Sequence, residues 1–243
     1  MNSCQLDRKE EHVIIYRVVK TQRGVRMKQE MNYVEVVANL ITVIDGEVKI
    51  LLCRNKRDPY KGYWILPSQL VKQDMMIEEA LALCITKKAK LPVIEMKQVG
   101  VFGALERKVN KRVIGISYLG LIDSVSIALK QVEHSLDDLN WFPINKLPKL
   151  GFDHEQIITE TIVQLRTMLR DYHILEYLFP SDFSLPEMQR ACEMILDHPL
   201  DRRNFRKKFM QHDLIEETGD QTEGMSGRPA KLYRFKEPFE LHY

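Results

Sequence analysis

The stretch LPSQLVKQDMMIEEALALCITKKAKL, residues 66–91, has the rhythm of a catalytic helix without the residues that would do its chemistry. Ile77, Ala80, Leu81, Cys84 and Ile85 recur at the spacing of an amphipathic helix. No glycine loop precedes it, and Lys87 and Lys88 stand where carboxylates would be sought. Glu78 and Glu79 read as a solvated helix surface. No catalytic, metal-binding or cofactor-binding residue is assigned.

A second constellation carries charge of one sign. Arg202, Arg203, Asn204, Arg206, Lys207 and Lys208 crowd the start of the segment LDRRNFRKKFMQHDLI, residues 200–215. Arginine pairs with guanine O6 and N7, and asparagine with adenine, through two parallel hydrogen bonds. Phe205 and Phe209, at i and i+4, would face a core and seat the helix. Downstream, EETGDQTEGMSGRPAKLYRF (216–235) reads as a glycine-rich hairpin, with Arg228 at its tip and Lys231 following. Glycines allow close approach to DNA, and an arginine fits a narrow minor groove. Ser184 with Glu187 predicts a capping box for a helix starting at Leu185-Pro186. Helix, turn, basic helix and hairpin is the order of a winged helix-turn-helix. A bare charge run would read as a solvated surface; this order favours double-stranded DNA.

The remaining elements must position these two segments. VEVVANLITVI (34–44) and VKILLCR (48–54) read as strands joined at Asp45-Gly46, a hairpin turn signal. Strands follow in 93–105 and 112–122, joined by the basic turn ERKVNKR, and a short one holds Trp141-Phe142. Residues 154–172 have the length and period of one long helix. The expected fold is α+β: an N-terminal extension (1–33), an α/β/α sandwich (34–150), a junction helix (151–172) and a winged helix-turn-helix (173–243). The 243 residues suit two unequal domains, and 44% hydrophobic with 29% charged residues is a globular balance. A net charge of +2 says little about partners. Cys4, Cys53, Cys84 and Cys192 form no C-x-x-C pair, which argues against a disulfide framework and for a reducing cytoplasm. No apolar run is long enough for a bilayer, so no membrane partner is expected.

From about Val34 to Phe235 the chain resembles NrtR-type regulators, in which a Nudix-like domain is fused to a winged helix. The resemblance rests on Gly151-Phe152-Asp153-His154, DFSLPEMQ, RNFRKKF and GRPAKLYRF. It implies a homodimer on a palindromic operator and a small-molecule effector, an ADP-ribose-like nucleotide or a sugar, with control of NAD, cofactor or sugar metabolism. Aligned on Leu66-Pro67, the family's metal-binding box has Gln69 for its glycine, Met75 for its first acid and Leu83 for its arginine. Cys84, Lys87 and Lys88 replace its three helix acids, and Lys90 its late glycine. The resemblance therefore implies a scaffold that has lost its magnesium site. Lys87 and Lys88 read as a basic solvated face, or as ammonium groups replacing the ion's charge toward a diphosphate. Arg54, Lys56, Arg57 and Tyr60 precede Trp64 near the family's substrate region, and Arg112 completes the candidate ligand contacts. The turn ERKVNKR departs from the acidic-proline-arginine turn common in relatives. Tyr118 matches a family aromatic but reads as core, and His154 as a residue that caps or packs the junction helix.

The reading is a repressor with an inactive Nudix-like sensor. Its rivals are an active nucleotide pyrophosphohydrolase with an accessory C-terminal domain, which the missing acids oppose, and a DNA-binding protein that needs no ligand.

Overall fold

A computed structural model describes residues 32–89, 92–93, 95–108, 111–122, 138–171, 173–179, 181–222 and 229–236. The expected N-terminal extension lies outside them except for Asn32 and Tyr33, and Tyr33 already belongs to the first strand.

Strands β1 (Tyr33–Ile44), β2 (Glu47–Arg54), β3 (Trp64–Ile65), β4 (Ser68–Leu70), β5 (Glu95–Phe102), β6 (Val113–Leu121) and β7 (Leu139–Pro143) form a seven-stranded sheet. Its order is β3-β2-β1-β6-β5, with β4 on β1 and β7 on β2; β1 and β6 run parallel. Side chains alternate across a strand, and β1 uses both faces. Val36, Ala38 and Leu40 meet Leu81 and Cys84 of helix α1 (Ile77–Cys84). Val37, Ile41 and Val43 join the opposite core with Ile157 and Ile158 of α2 (His154–Met168). A helix on each face makes the α/β/α sandwich, and a π turn, Ile85–Ala89, extends α1.

The second unit follows as α3 (His173–Leu178), β8 (Phe183–Ser184), α4 (Leu185–Leu196), α5 (Arg202–Gln211), β9 (Ile215–Gln221) and β10 (Lys231–Phe235). Its three strands pair in the order β8-β10-β9. The Ser184 hydroxyl accepts from Glu187 N at 3.3 Å and starts α4, with Pro186 in the first turn. Asp201 caps α5 by accepting from Asn204 N at 2.8 Å.

Three details differ from the sequence expectation. The helix over 154–172 is not continuous: α2 stops at Met168, a 3-10 turn covers Leu169–Asp171, and α3 follows. A continuous helix after Leu165 and Leu169 would bury positions 172 and 176, whereas Ile174, Leu175 and Leu178 are buried; the tighter turn rephases the apolar stripe. The basic helix is shorter than 200–215, because Asp201 sets its start and Asp213, with φ 53°, turns the chain into β9. The basic turn after β5, expected as a hairpin loop, holds a 3-10 turn at Leu105–Arg107 and buries Arg107.

The two units touch directly. Asp45 and Gly46 both take positive φ, 57° and 72°, as a tight two-residue hairpin requires. A Cβ on Gly46 would stand 2.8 Å from the Arg190 guanidinium, so glycine lets the turn lie against α4. Beside it, Val48 N donates to the Met194 sulfur at 3.2 Å.

Candidate functional site

Helix α5 sorts its side chains into three directions. Phe209 is buried and Phe205 half-buried, with rings 4.9 Å apart, as expected for residues that seat the helix. At about 3.6 residues per turn, Arg203 and Lys207 stand opposite those rings, and both are exposed. Arg202 and Arg206 flank them on the side of the hairpin, lining a groove of about 510 Å³ with Gln221, Pro229 and Lys231. Asn204 and Lys208 flank them on the other side, in a groove shared with Val163, Arg166 and Arg170 of the preceding helical segment. The Lys231 ammonium pairs with Glu217 Oε1 at 2.6 Å across β10 and β9, on the exposed side of the hairpin. Arg228 lies outside the described residues. All six expected helix residues are exposed, but they do not share one direction.

Helix α1 presents a different surface. At the aligned box positions, Gln69 donates to its neighbour's carbonyl, Leu70 O, at 3.1 Å, and Met75 packs toward the α1-side core. Leu83 is half-buried, Cys84 is fully buried, and Lys87 is exposed. The side chain of Lys88, and Lys90 altogether, lie outside the described residues. A thioether, a buried thiol and an ammonium do not suit magnesium, which takes hard oxygen ligands; this donor set does not fit the ion. Glu79 does local work instead, accepting from Met76 N at 2.9 Å at the helix start. Tyr118 is half-buried against the α1-side core; burial, with the Glu78 charge second, pushes its phenol up.

The loop candidates fall elsewhere. The exposed Arg54 guanidinium stacks 4.8 Å from the Trp64 ring centre. Arg57 is exposed, with its backbone held by the Asn55 amide at 2.8 and 3.2 Å. Lys56 pairs with Asp138. Tyr60 packs edge-on against Phe152, ring centres 4.8 Å apart. Arg112 is committed to the turn after β5, donating to Gly103 O and to Ala104 O at 3.1 Å. Arg54 ends β2, Arg57 and Tyr60 lie in the loop after it, and Lys87 follows α1; among the described residues, Arg54, Arg57, Tyr60, Lys87 and Arg112 are not joined in one cluster of contacts.

A buried charge cluster went unread in the sequence. Arg107, 3% exposed, places Nη1 2.8 Å from Glu35 Oε2 and Nε 2.8 Å from Asp153 Oδ2. Lys108 Nζ lies 3.2 Å from Glu35 Oε1, and the Ser68 hydroxyl donates to the same oxygen at 2.8 Å. A Cβ on Gly115 would come 2.5 Å from the guanidinium, so glycine makes its berth. Burial, the largest influence, pushes the Glu35 carboxyl up, but Lys108, Arg107 and Ser68 together hold it below its ordinary value. Burial wins at Asp153 and raises it despite Arg107. Beside it, His154 is completely buried, and its Nδ1 accepts from Leu66 N at 2.8 Å. The expected packing role of His154 is thus a definite hydrogen bond to the segment that opens the box. Among the other cysteines, burial pushes the Cys192 thiol up to about 12, a pKa at which it is inert.

Fold and basic helix together define a winged-helix DNA-binding regulator built onto a Nudix-like domain. Residues 176–235 match the family described as the NrtR DNA-binding winged helix domain. The chain is 29% identical over 202 residues to the ADPR responsive transcriptional repressor NtrR of Acinetobacter baylyi, covering 81% of this chain and 79% of that one. It is 32% identical over 118 residues to an ADP-ribose pyrophosphatase of Methanocaldococcus jannaschii, covering 49% of this chain and 68% of that enzyme. The crystal structure of Shewanella oneidensis NrtR complexed with a 27mer DNA aligns with TM-score 0.66 and 26% identity, over 84% of this chain and 93% of that one. Residues 176–235 thus carry the NrtR winged helix, and along most of its length the chain is similar to NrtR-type, Nudix-related transcriptional regulators.

Proposed function

We propose that this chain is a homodimeric, cytoplasmic repressor that binds a palindromic operator and changes its DNA affinity when ADP-ribose occupies the Nudix-like domain, without hydrolysing that ligand. The exposed cationic ridge of Arg203 and Lys207, flanked by Arg202 and Arg206 toward the hairpin, carries the DNA half of the reading. Such a ridge suits base edges at its centre and phosphates at its flanks. Two copies related by a two-fold axis would present two ridges to the two half-sites of a palindrome. The ADP-ribose half is supported by the repressor and the pyrophosphatase to which the chain is similar. Loss of hydrolysis is supported by Met75, Cys84 and Lys87 at the box positions. With no metal to neutralise a diphosphate, cationic side chains must do so, and Arg54 and Arg57, beside Tyr60, are the exposed loop candidates. Genes of NAD, cofactor or sugar metabolism are the targets this reading implies.

The test combines calorimetry with product analysis. ADP-ribose should bind in the presence of a chelator and be recovered intact after incubation with magnesium or manganese. Chelator-sensitive turnover would replace the inactive sensor with an active pyrophosphohydrolase.

A further inference from the structure

The turn Gly151–His154 is fastened to its surroundings on every side. Toward the loop after β2, Gly151 N donates to Trp64 O at 3.0 Å and Trp64 N to Lys149 O at 3.2 Å. The Tyr60 ring meets Phe152, and Leu66 N reaches His154. Toward the sheet, Asp153 holds Arg107, and Lys108 Nζ sits 3.9 Å over the Phe152 ring. Phe152 itself has φ 59°. A bulky L residue in the left-handed region costs of order 1–2 kcal/mol, and such strain persists only where surrounding contacts enforce it.

From this turn springs α2, a 15-residue helix. At about 1.5 Å per residue it spans roughly 22 Å, and its far end reaches the winged helix. Arg166 Nε donates to Ile195 O at 2.6 Å, and Nη2 lies 3.9 Å from Asp197 Oδ2. Ile195 O is one of the last-turn carbonyls of α4, where a cation is favoured. Arg190, midway along α4, and Met194, in its last turn, rest on the β1–β2 turn. The sheet thus grips the second half of α4 from one side, and Arg166 holds its last turn from α2, just before the chain enters α5.

We propose that the Gly151–His154 turn transmits effector occupancy to the DNA-binding helix, with Tyr60 as its input and Arg166 as its output. A ligand drawing the Tyr60 loop toward itself alters the packing on Phe152 and the hold on Leu66. Helix α2 then tilts as a rigid rod, and Arg166 carries the last turn of α4 with it. The recognition ridge of α5 moves with it. This rests on the effector-responsive reading above.

The experiment measures operator affinity by fluorescence anisotropy with and without saturating ADP-ribose, and ADP-ribose affinity by calorimetry, on the full chain. The variants are Phe152→Gly, which relieves the strain and removes the ring, and Arg166→Met, which keeps the stem and removes the donor. Wild type should show an affinity ratio in the usual allosteric range, about 5–150-fold. Each variant should bind ADP-ribose and free operator within about threefold of wild type while the ratio collapses toward one; Arg166→Lys should recover part of it. Arg166 is part-exposed, so Arg166→Met carries the test if Phe152→Gly does not fold. A wild-type ratio retained in Arg166→Met overturns the proposal. Wild type that binds ADP-ribose with no change in operator affinity overturns it too, together with the effector reading. Wild type that binds no ADP-ribose by calorimetry removes the effector reading itself.

Discussion

Helices α1 and α5 follow the same construction rule with opposite results. Each buries a narrow apolar stripe: Ala80, Leu81 and Cys84 in α1, Phe209 with half-buried Phe205 in α5. Each leaves a polar face to solvent. In α5 that face carries cations, ordered by helix geometry into a ridge and two flanks. In α1 it keeps Glu78 and Glu79, but the aligned box positions hold Met75, Cys84 and Lys87, while the stripe beneath still closes the sandwich. Burial of the stripe maintains the helix whatever its outer face does, because stability comes mainly from packing. Scaffold and chemistry are therefore separable, and the Nudix-like fold persists here with Met75, Cys84 and Lys87 at the aligned box positions, side chains that do not suit magnesium.

The largest expected effect lies in neither helix. Arg107→Ala leaves Asp153 without its cation and Glu35 with Lys108 alone, and removing one partner of a buried pair costs about 3–5 kcal/mol. Chemical denaturation at neutral pH should show it as a lower midpoint with an unchanged slope. An effect under about 1 kcal/mol, the range of exposed pairs, would make this cluster no more important than a surface contact.

On α5, Arg203→Ala should lose roughly 1–3 kcal/mol of discrimination at one operator position if its guanidinium reads a base. Lys207→Ala should weaken all sequences alike and flatten the salt slope by about one unit. Competition binding with single-base operator variants separates the two. Asn204 lies on the flank toward α2, so Asn204→Ala should shift base preference less than Arg203→Ala does.

The acid cluster has a signature in pH. Glu35 is held below its ordinary value of 4.5, so its contribution to stability is present above 4.5 and lost as pH falls through the folded-state value. The stability gap between wild type and Glu35→Gln should narrow on acidification. Asp153 is raised above its ordinary 3.8 and has the opposite sign: its contribution is present below 3.8 and lost as pH rises through the folded-state value. Asp153→Asn should therefore gain on wild type as pH rises. Thermal melts across the acid range check both slopes.

The smallest effect belongs to α1. Lys87 is exposed, so Lys87→Glu should leave stability within about 0.5 kcal/mol of wild type. Unchanged ADP-ribose affinity in that variant would assign Lys87 to the solvated surface; weakened or newly metal-dependent binding would assign it to the diphosphate.

Local signals made much of this molecule legible in sequence. The β-branched run of β1, the Asp45-Gly46 turn, the Ser184 cap with its Leu185-Pro186 helix start and the 3.6-residue rhythm of α1 depend on neighbouring residues, and each formed where its pattern stood. The break after Met168 was hidden because helical periodicity says little about where a stripe must be rephased. The Glu35–Arg107–Asp153 cluster was invisible because its members lie far apart in the chain, Glu35 72 residues before Arg107 and Asp153 well beyond it. A basic turn reads as solvated until the fold brings two carboxylates and a glycine berth to one arginine. The five helix cations and Asn204 were legible as a group, but their division into ridge and flanks required the positions of the hairpin and of α2.

The central claim, a working DNA face beside a Nudix scaffold without its chemistry, meets its most direct test in one time course. Labelled promoter DNA from upstream of the protein's own gene is held with the protein, ADP-ribose and magnesium while anisotropy is followed. The account predicts binding about 10³-fold or more above random DNA, a shift on adding ADP-ribose, and a new level that stays constant because the ligand is not consumed. A promoter bound no better than random DNA, or a shift that decays with time and is made permanent by a chelator, would contradict it.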